Sequence, residues 1–309
     1  MDLSGKKIAV TGATGFLGQY IVKHLLRYNA TVTAVVRNPD KVPALKKLGI
    51  SFQKADLGDR QALTNSFRNI DAVVHCAASV TIKGKFEDII ASNVEGTEHV
   101  MEALTASGVK RMIYMSSASV YPLGRYGDVI SEDHAIRAVS DKVTRLNVYA
   151  YSKARSEELV WNYASKHQLE VTSLRPFAIF GSFDQGTFTL WFKRLMSLPV
   201  TPYPVGLDVG LIYAGDIAEA SCLALTNPAS IGKAYNIAGI PLDAWEFAEI
   251  WQMAGGKSPC LKIPVPVPFK QVMSTQRLQR DLGWSTTPIY DACREIIATE
   301  KAGSHWPCQ

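Results

Sequence analysis

A glycine-rich turn near the start of the chain constrains its fold more than any other feature. Residues 11–18 read TGATGFLG and follow directly on the apolar run at 8–10. This pattern predicts a strand, a tight turn and a helix start, because glycines let the main chain turn sharply and approach a ligand closely. A helix N-terminus offers free amide donors, so the turn predicts a dinucleotide pyrophosphate site. The residues expected there are Gly12, Thr14, Gly15, Phe16, Leu17 and Gly18.

Strand-like runs alternate with amphipathic helical stretches over the first part of the chain. The runs lie at 8–10, 31–36, 51–54, 72–75, 111–116 and 171–175. Such alternation is typical of right-handed β-α-β units. We therefore predict an α/β fold, a Rossmann-type doubly wound parallel sheet with a smaller C-terminal substrate-binding lobe. The ligand should lie at the carboxyl ends of the strands.

The pattern changes at Gly181, where glycine, proline and aromatic residues become frequent. In a chain of 309 residues, we expect a dinucleotide-binding Rossmann domain over 1–180, with returns to its sheet near 211–240. Residues 181–309 should form mainly the substrate-binding lobe. The prolines at 199, 202 and 204, and those at 264, 266 and 268, predict extended loops.

A second group of polar residues lies far downstream, where residues 149–153 read YAYSK. Tyr149 and Lys153 are four residues apart, so a helix places the phenol and the ammonium on one face. A nearby cation favours the phenolate, and we expect Lys153 together with a bound nicotinamide ring to lower the tyrosine pKa from its usual value of about 10. Such a phenol can act as general acid or base. Tyr151 competes for the role, but its partner four residues on is Arg155, whose guanidinium is a poorer substitute for the compact ammonium.

Several further motifs occur in a fixed order along the chain. They are Asp56-Leu57, His75-Cys76-Ala77-Ala78, Asn93-Val94-Glu95-Gly96-Thr97, Ser116-Ser117, Leu174-Arg175-Pro176, the run at 212–218, Tyr235-Asn236-Ile237 and Leu282-Gly283-Trp284. Together with the glycine turn and Tyr149/Lys153, they resemble the extended short-chain dehydrogenase/reductase superfamily nearly end to end. The resemblance is to its NAD-dependent epimerase/dehydratase family, in the branch of dihydroflavonol reductases and 3β-hydroxysteroid dehydrogenases.

The resemblance implies a role for individual residues. Ser117 would hydrogen-bond the reacting carbonyl or alcohol, Tyr149 would be the general acid/base, and Lys153 would hold the nicotinamide ribose. Catalysis is thus assigned to Ser117, Tyr149 and Lys153. The further cofactor-binding residues that it implies are Asp56, Leu57, Ala77, Ala78, Tyr149, Lys153 and Pro176. It also implies a homodimer formed through two paired helices.

The end of the second strand-like run bears on the choice of cofactor. An acidic residue there would bind both ribose hydroxyls of NAD, whereas this chain has Arg37, a cationic fork suited to a 2′-phosphate. We therefore expect NADP(H) rather than NAD. The alternative is that Arg37 stacks on adenine or points to solvent.

Two polar residues receive ordinary structural interpretations. His75 ends a strand-like run, where a histidine is usually a satisfied core residue. Asn93 opens a helical stretch, and we place a role as helix N-cap slightly above a role in the site.

The reaction is constrained by what nearby segments contain. Nucleotide-sugar enzymes of the family commonly carry an arginine shortly before the segment at 212–216, and residues 207–211 read LDVGL. Ala118-Ser119 stands where family dehydratases have an Asp-Glu pair. An apolar cleft could be lined by Phe177, Phe180, Phe183, Phe188, Trp191 and Phe192, although core packing explains such rings equally well.

The leading hypothesis is an NADP(H)-dependent oxidoreductase that transfers a hydride between the nicotinamide and a ketone or secondary alcohol of a small, largely apolar substrate. The first alternative is a nucleotide-sugar 4-epimerase that uses bound NAD. The second is an NADP-sensing binding protein without turnover, which would not need a tuned proton donor.

Composition bears on whether the protein binds metal, nucleic acid or a membrane. The five cysteines are odd in number and dispersed, and neither they nor the six histidines have zinc-like spacing, so we expect reduced thiols, a cytoplasmic protein and no metal. The net charge of +5 is not concentrated in a basic block, which argues against nucleic-acid binding. No apolar run predicts a signal peptide or a membrane span.

Overall fold

In a computed structural model, residues 2–41, 43–80, 86–122, 127–137, 144, 147–184 and 188–302 are described. The strands are β1 (Lys7–Thr11), β2 (Thr31–Val36), β3 (Ser51–Lys54), β4 (Ala72–His75), β5 (Arg111–Met115), β6 (Val129–Ile130), β7 (Glu170–Pro176), β8 (Ile179–Phe180), β9 (Val200–Val209), β10 (Ile212–Tyr213), β11 (Lys233–Ile237), β12 (Leu242–Asp243) and β13 (Leu261–Met273). The α-helices are α1 (Phe16–Arg27), α2 (Pro43–Lys46), α3 (Arg60–Ser66), α4 (Phe86–Ile90), α5 (Gly96–Ser107), α6 (Val148–His167), α7 (Phe188–Met196), α8 (Ala214–Thr226), α9 (Ala244–Met253), α10 (Gln276–Leu282) and α11 (Ile289–Lys301).

One parallel sheet organises the described residues. Its seven strands run in the order β11-β7-β5-β4-β1-β2-β3, and all neighbours are parallel. The order reverses between β1 and β4, which is where doubly wound sheets open a crevice for a ligand. The predicted fold class and all six predicted strands are confirmed.

Helices cover both faces of the sheet. Strands β1 and β4 are buried along almost their whole length, as expected for parallel strands packed on both sides. One apolar cluster includes Tyr20 and Leu25 of α1, and the other includes Val100 and Leu104 of α5. The sheet is therefore the rigid layer from which the loops of the site project.

Strand β11 returns to the edge of the main sheet beside β7. This return falls within the segment 211–240 in which the sequence predicts one. The division of the chain into a cofactor-binding part at 1–180 and a mainly substrate-binding part at 181–309 stays a prediction.

The proline-rich segments are strands and not loops, so that prediction was wrong. Strands β9 and β13 pair in parallel over Leu261–Gln271. The Leu261 amide donates to the Pro199 carbonyl, so alternation directs the nitrogens of Pro264 and Pro266 away from β9. Proline lacks only an N–H, and the ladder tolerates it where that N–H would face away from the paired strand.

Among the residues described, no helix is both long enough and apolar enough to cross a membrane.

Candidate active site

The glycine turn lies at the carboxyl end of β1, against the start of the loop that follows β4. Gly12 has φ +71°, and a Cβ there would lie 2.7 Å from the main-chain N and Cα of Ala77. A Cβ on Gly18 would lie 2.1 Å from the Gly12 carbonyl oxygen. Both positions therefore require glycine, one for the turn and one for packing the helix on it.

The N-terminus of α1 faces out of this turn. Gly15 is its N-cap, no side chain caps it, and its first turn holds no acidic residue. Its free amides and dipole end can therefore receive a phosphate. The side chains of Phe16 and Leu17 pack on the core, so these two residues can offer a phosphate only their main chain.

A cleft of about 670 Å³ opens at the point where the strand order reverses. Its size falls in the range of about 300–1,000 Å³ usual for ligand pockets. The predicted cofactor residues that line it are Gly12, Thr14, Gly15, Arg37, Asp56, Leu57, Ala77 and Ala78. Gly12, whose missing Cβ leaves room for a close main-chain approach, and the uncapped helix both suit a dinucleotide, so the residues present fit the NAD(P) group.

Arg37 lies at the far end of this cleft, just after β2. Its side chain is 80% exposed, and its Nε lies 3.9 Å from a carboxylate oxygen of Asp56. Sequence reasoning missed His99, whose Nδ1 lies 2.7 Å from the Leu57 carbonyl and steadies that loop. A histidine in the middle of a helical stretch gives no local signal for such a contact.

Tyr149 and Ser117 lie near each other at the carboxyl edge of the sheet, away from the cleft lined by Gly12 and Arg37. Ser117 follows β5, and Tyr149 lies in the first turn of α6. Burial raises the pKa of Tyr149, and the nearby Ser117 hydroxyl partly offsets that shift. The alternative, Tyr151, lies on the same helix, where Arg155 pairs with Glu158 at 2.7 Å. The structure thus brings Tyr149, and not Tyr151, to Ser117.

Lys153 is buried one helical turn beyond Tyr149. Its ammonium donates to the Met115 carbonyl at 2.6 Å and lies 4.7 Å from the centre of the Tyr114 ring. Burial lowers the pKa of Lys153 to about 8, while the Glu157 carboxylate opposes that shift. Without cofactor, burial raises the pKa of Tyr149 and the Lys153 ammonium is directed at Met115. The expectation that Lys153 and a bound nicotinamide ring together lower the pKa of Tyr149 stays a prediction.

Pro176, the remaining predicted cofactor residue, ends β7 beside Ile237 of β11. It is buried and lies next to the strand that Ser117 follows. The structure therefore places it on the Ser117 side of the sheet edge, and not in the cleft lined by Gly12 and Arg37.

The structure shows the hydrogen-bond partners of two predicted polar residues, His75 and Asn93. His75 is buried between the hydroxyls of Thr11 and Thr97, at 2.7 and 3.1 Å, and burial lowers its pKa to about 3. The prediction of a satisfied core histidine is confirmed. Asn93 is no N-cap, which corrects the preferred interpretation.

Asn93 lies in a π-helical turn, Ala91–Glu95, between α4 and α5. Its side-chain oxygen accepts a hydrogen bond from the Ser79 amide at 2.7 Å. Its side-chain nitrogen donates to the Ser79 carbonyl at 3.0 Å and to the Ser152 hydroxyl at 2.9 Å. The amide therefore ties the loop after β4 to helix α6, between Tyr149 and Lys153 in sequence.

The predicted aromatic cleft is mostly core. Phe180 and Phe192 are buried, Phe188 stacks on Phe192 at 5.7 Å, and Trp191 is 56% exposed. Phe177 packs with the cluster that includes Ala118 and is the ring placed beside the Ser117 turn. Core packing therefore accounts for Phe180 on β8 and for Phe188 and Phe192 on α7, but not for the exposed Trp191.

Comparisons with known proteins agree with this geometry. Residues 8–238 match the NAD dependent epimerase/dehydratase family. Cinnamoyl-CoA reductase 1 of Petunia hybrida is 27% identical over 99% of this chain and 95% of its own length. The 3 beta-hydroxysteroid dehydrogenase/Delta 5-->4-isomerase of Vaccinia virus (strain Western Reserve) is 31% identical over 70% of this chain and 65% of its own length.

A solved structure shares the fold. It is UDP-glucose-4-epimerase from Stenotrophomonas maltophila with bound NAD and formylated UDP-arabinopyranose, with a TM-score of 0.83, 21% identity, and coverage of 97% of this chain and 99% of that one. The family match spans the glycine turn, Ser117, Tyr149 and Lys153. This chain belongs to the NAD dependent epimerase/dehydratase family of the extended short-chain dehydrogenase/reductase superfamily and is an NAD(P)-dependent oxidoreductase of that type.

Proposed function

We propose that this protein is an NADP(H)-dependent oxidoreductase that interconverts a ketone and a secondary alcohol on a small, largely apolar substrate. The observation that carries the proposal is the proximity of the Ser117 hydroxyl to the Tyr149 phenol, with Lys153 one turn further along the same helix. Bound nicotinamide supplies or takes up the hydride. The protein's own residues must then place and protonate the substrate oxygen.

In this proposal, the substrate oxygen lies between the Ser117 hydroxyl and the Tyr149 phenol. Both groups donate hydrogen bonds to the oxygen as negative charge develops on it, which stabilises the transition state. Tyr149 gives up its proton in the direction of reduction and takes one back in the direction of oxidation. Lys153 holds the cofactor ribose, since its ammonium already lies at the carboxyl end of β5.

The preference for NADP rests on Arg37. Its exposed guanidinium lines the cleft and can form paired hydrogen bonds to a 2′-phosphate. Asp56 is the acidic group next to Arg37, but at 3.9 Å and in solvent the pair is weak and can open for a ligand.

The proposed substrate lacks a nucleoside diphosphate. Residues 207–211 contain no arginine, and Asp208 there pairs with Lys270 at 3.0 Å. The segment therefore offers a pyrophosphate no arginine of its own. The homology to an enzyme named as a 3 beta-hydroxysteroid dehydrogenase favours a carbonyl or alcohol substrate with an apolar body. The proposal also includes assembly of the protein as a homodimer.

A nucleotide-sugar 4-epimerase is the second candidate, and the shared fold with an enzyme of that name favours it. Net consumption of cofactor separates the two. The experiment measures binding of NADPH and NADH to the purified protein, then follows nicotinamide absorbance with apolar ketones, aldehydes and UDP-sugars. Oxidation of NADPH by a ketone supports the reductase. Tight NAD binding with conversion of UDP-sugars and no net oxidation overturns it.

A protein that binds NADPH without turnover would instead be a sensor. Failure of all three substrate classes, with NADPH bound, would be the result expected for that function. The pairing of a serine hydroxyl with the Tyr149 phenol argues against it, because binding alone needs no proton donor.

A further inference from the structure

A chain of hydrogen bonds runs through the buried side chain of His75, from helix α5 to the end of β1. The Thr97 hydroxyl lies 2.6 Å from the Asn93 carbonyl oxygen and 3.1 Å from His75 Nε2. On the other side of the ring, His75 Nδ1 lies 2.7 Å from the Thr11 hydroxyl. The Ala77 amide donates to that same hydroxyl at 3.4 Å. The chain therefore starts and ends at main-chain groups, an acceptor at Asn93 and a donor at Ala77.

These two main-chain groups set the direction of every bond in the chain. A carbonyl oxygen only accepts, so Thr97 donates its single proton to Asn93 and has to accept from His75. Nε2 of His75 therefore carries the ring proton, and Nδ1 accepts from the Thr11 hydroxyl. The Thr11 oxygen still has lone pairs, one of which accepts from the Ala77 amide.

The other forms of the imidazole ring fit these partners less well. With its proton on Nδ1 alone, His75 would turn the Nε2 lone pair toward the Thr97 oxygen and displace the Thr11 proton. A ring protonated on both nitrogens would displace that proton too, and burial with the nearby Lys153 charge holds the pKa of His75 at about 3. Thr11, His75 and Thr97 are all buried, and buried polar groups without partners are costly. The site therefore favours the ring protonated on Nε2.

The Ala77 end of the chain lies in the cofactor cleft. Thr11, Gly12 and Ala77 line the cleft, whereas His75 and Thr97 are buried behind it. A Cβ on Gly12 would lie 2.7 Å from the main-chain N and Cα of Ala77, so the glycine turn and the loop at 76–79 are in close contact. The bond between the Ala77 amide and the Thr11 hydroxyl therefore holds this loop against the turn.

We propose that His75, held in its Nε2-protonated form by Thr97, is a positioning residue that orients the Thr11 hydroxyl and thereby fixes the loop at 76–79 against the glycine turn for dinucleotide binding. Hydrogen bonds in a chain polarise one another, so donation from Thr11 to the ring strengthens the bond that Thr11 accepts from Ala77. The proposal requires that the protein bind NAD(P), but it does not depend on which substrate is then reduced.

The first test examines the ring itself in the full-length protein without cofactor. In ¹⁵N-labelled protein, long-range ¹H–¹⁵N correlations distinguish the two ring nitrogens, because Nε2 couples strongly to both carbon-bound ring protons and Nδ1 to only one. The His75 signals are assigned through their proximity to the Tyr114 ring, whose centre lies 5.9 Å away. We expect the proton on Nε2 at neutral pH. A proton on Nδ1, or on both nitrogens, overturns the proposal.

The second test asks whether Thr97, which lies outside the cleft, affects cofactor affinity. Thr97→Val keeps the shape of the side chain but removes the acceptor for the ring proton. We expect the Kd to rise about three- to tenfold for whichever of NADPH and NADH binds more tightly. The same variant should also show part of the His75 proton on Nδ1.

Two control variants separate this effect from a general loss of structure. Thr97→Ser keeps the hydroxyl and should bind cofactor like the unchanged protein. Thr105 lies on the same helix, and its hydroxyl donates to the Met101 carbonyl, four residues earlier, as that of Thr97 donates to Asn93. Thr105→Val should therefore leave the Kd and the ring signals unchanged.

An unchanged Kd in Thr97→Val overturns the proposal, and so does an equal loss of affinity in Thr97→Ser or Thr105→Val. Each Kd is measured by fluorescence titration on protein whose folding has been checked by circular dichroism. Failure of ketones to oxidise bound NADPH would reject the proposed function but would leave this comparison of affinities intact.

Discussion

The Glu157 carboxylate lies one helical turn beyond Lys153 and forms a buried ion pair with Arg175, whose Nη2 and Nε lie 2.6 and 3.0 Å from Oε1. Ser116 adds a hydroxyl donor at 2.5 Å. On its other side, Arg175 donates to the Tyr121 phenol at 2.6 Å. The pair therefore joins β7 to α6, the helix that carries Tyr149 and Lys153.

Breaking this pair should destabilise the fold. Glu157→Gln leaves the Arg175 charge buried without its partner, and we expect a loss of about 3–5 kcal/mol in the free energy of unfolding. Glu158→Gln on the same helix breaks an exposed pair with Arg155 and should cost less than about 1 kcal/mol. Urea denaturation of both variants measures the difference. Equal losses would show that burial of the pair is unimportant.

Tyr149→Phe should separate chemistry from binding. The variant keeps the ring but loses the proton, so kcat should fall by about 10²–10⁴-fold while the Kd for NADPH stays nearly unchanged. Tyr151→Phe, two residues along the same helix, should retain activity. Fluorescence titration and steady-state kinetics provide the two readouts. If cofactor affinity falls as much as kcat, the phenol is structural.

The glycine turn offers a paired test of cofactor binding. Gly12 and Gly5 have nearly the same φ, +71° and +73°, but a Cβ at Gly5 has nothing within 4 Å. Both alanine variants carry the strain of a positive φ, which costs about 1 kcal/mol. Gly12→Ala alone should also push the turn off Ala77 and reduce NADPH affinity at least tenfold. Similar affinities in the two variants would contradict the close approach at Gly12.

Reversing the charge at Arg37 should change which cofactor is preferred. Arg37→Asp removes a charge-assisted bond to the 2′-phosphate and adds repulsion, so the ratio of NADP to NAD affinity should fall about 10–100-fold. Arg68→Asp makes the same change in net charge at an exposed position outside the cleft and should leave the ratio unchanged. An unaltered ratio in Arg37→Asp would remove the argument for NADP.

Asp216 should make stability depend on pH. It is buried in the first turn of α8, and burial, aided by Glu219 and Glu295, raises its pKa to about 6 although Thr287 donates to it. An unfolded aspartate titrates near 3.9. Its contribution is therefore complete below about pH 4 and is lost as pH rises through about 6.

Asp216→Asn keeps a carbonyl oxygen for Thr287 but does not titrate. The free energy of unfolding of the unchanged protein, relative to this variant, should fall between about pH 4 and pH 7. Urea denaturation across that range measures it. A difference that is constant or rises with pH contradicts the raised pKa.

The parts of the site that come from local sequence were predictable. Short apolar runs predict the strands, and the spacing of the glycines predicts the turn after β1. Tyr149 and Lys153 share a helix face because they are four residues apart, whatever surrounds them. The prediction of loops at the proline-rich segments was wrong because proline removes only one N–H from the main chain. Whether this loss prevents strand pairing depends on which edge of the strand is paired.

Other features depend on segments far apart in sequence. The turn after β5 places Ser117 against Tyr149, and packing of α6 on the sheet directs the Lys153 ammonium to the Met115 carbonyl. The buried contacts of Asn93 likewise join Ser79 to Ser152. No local pattern encodes such pairs.

Sequence by itself therefore determined the fold class, the family and the elements that carry the functional groups, because helical and strand periodicity and turn glycines act over a few residues. Tertiary structure decided which hydroxyl faces which phenol, which charges are buried together and how each pKa moves. Those properties depend on distance and desolvation, which only the packed arrangement of α6, β5 and β7 sets.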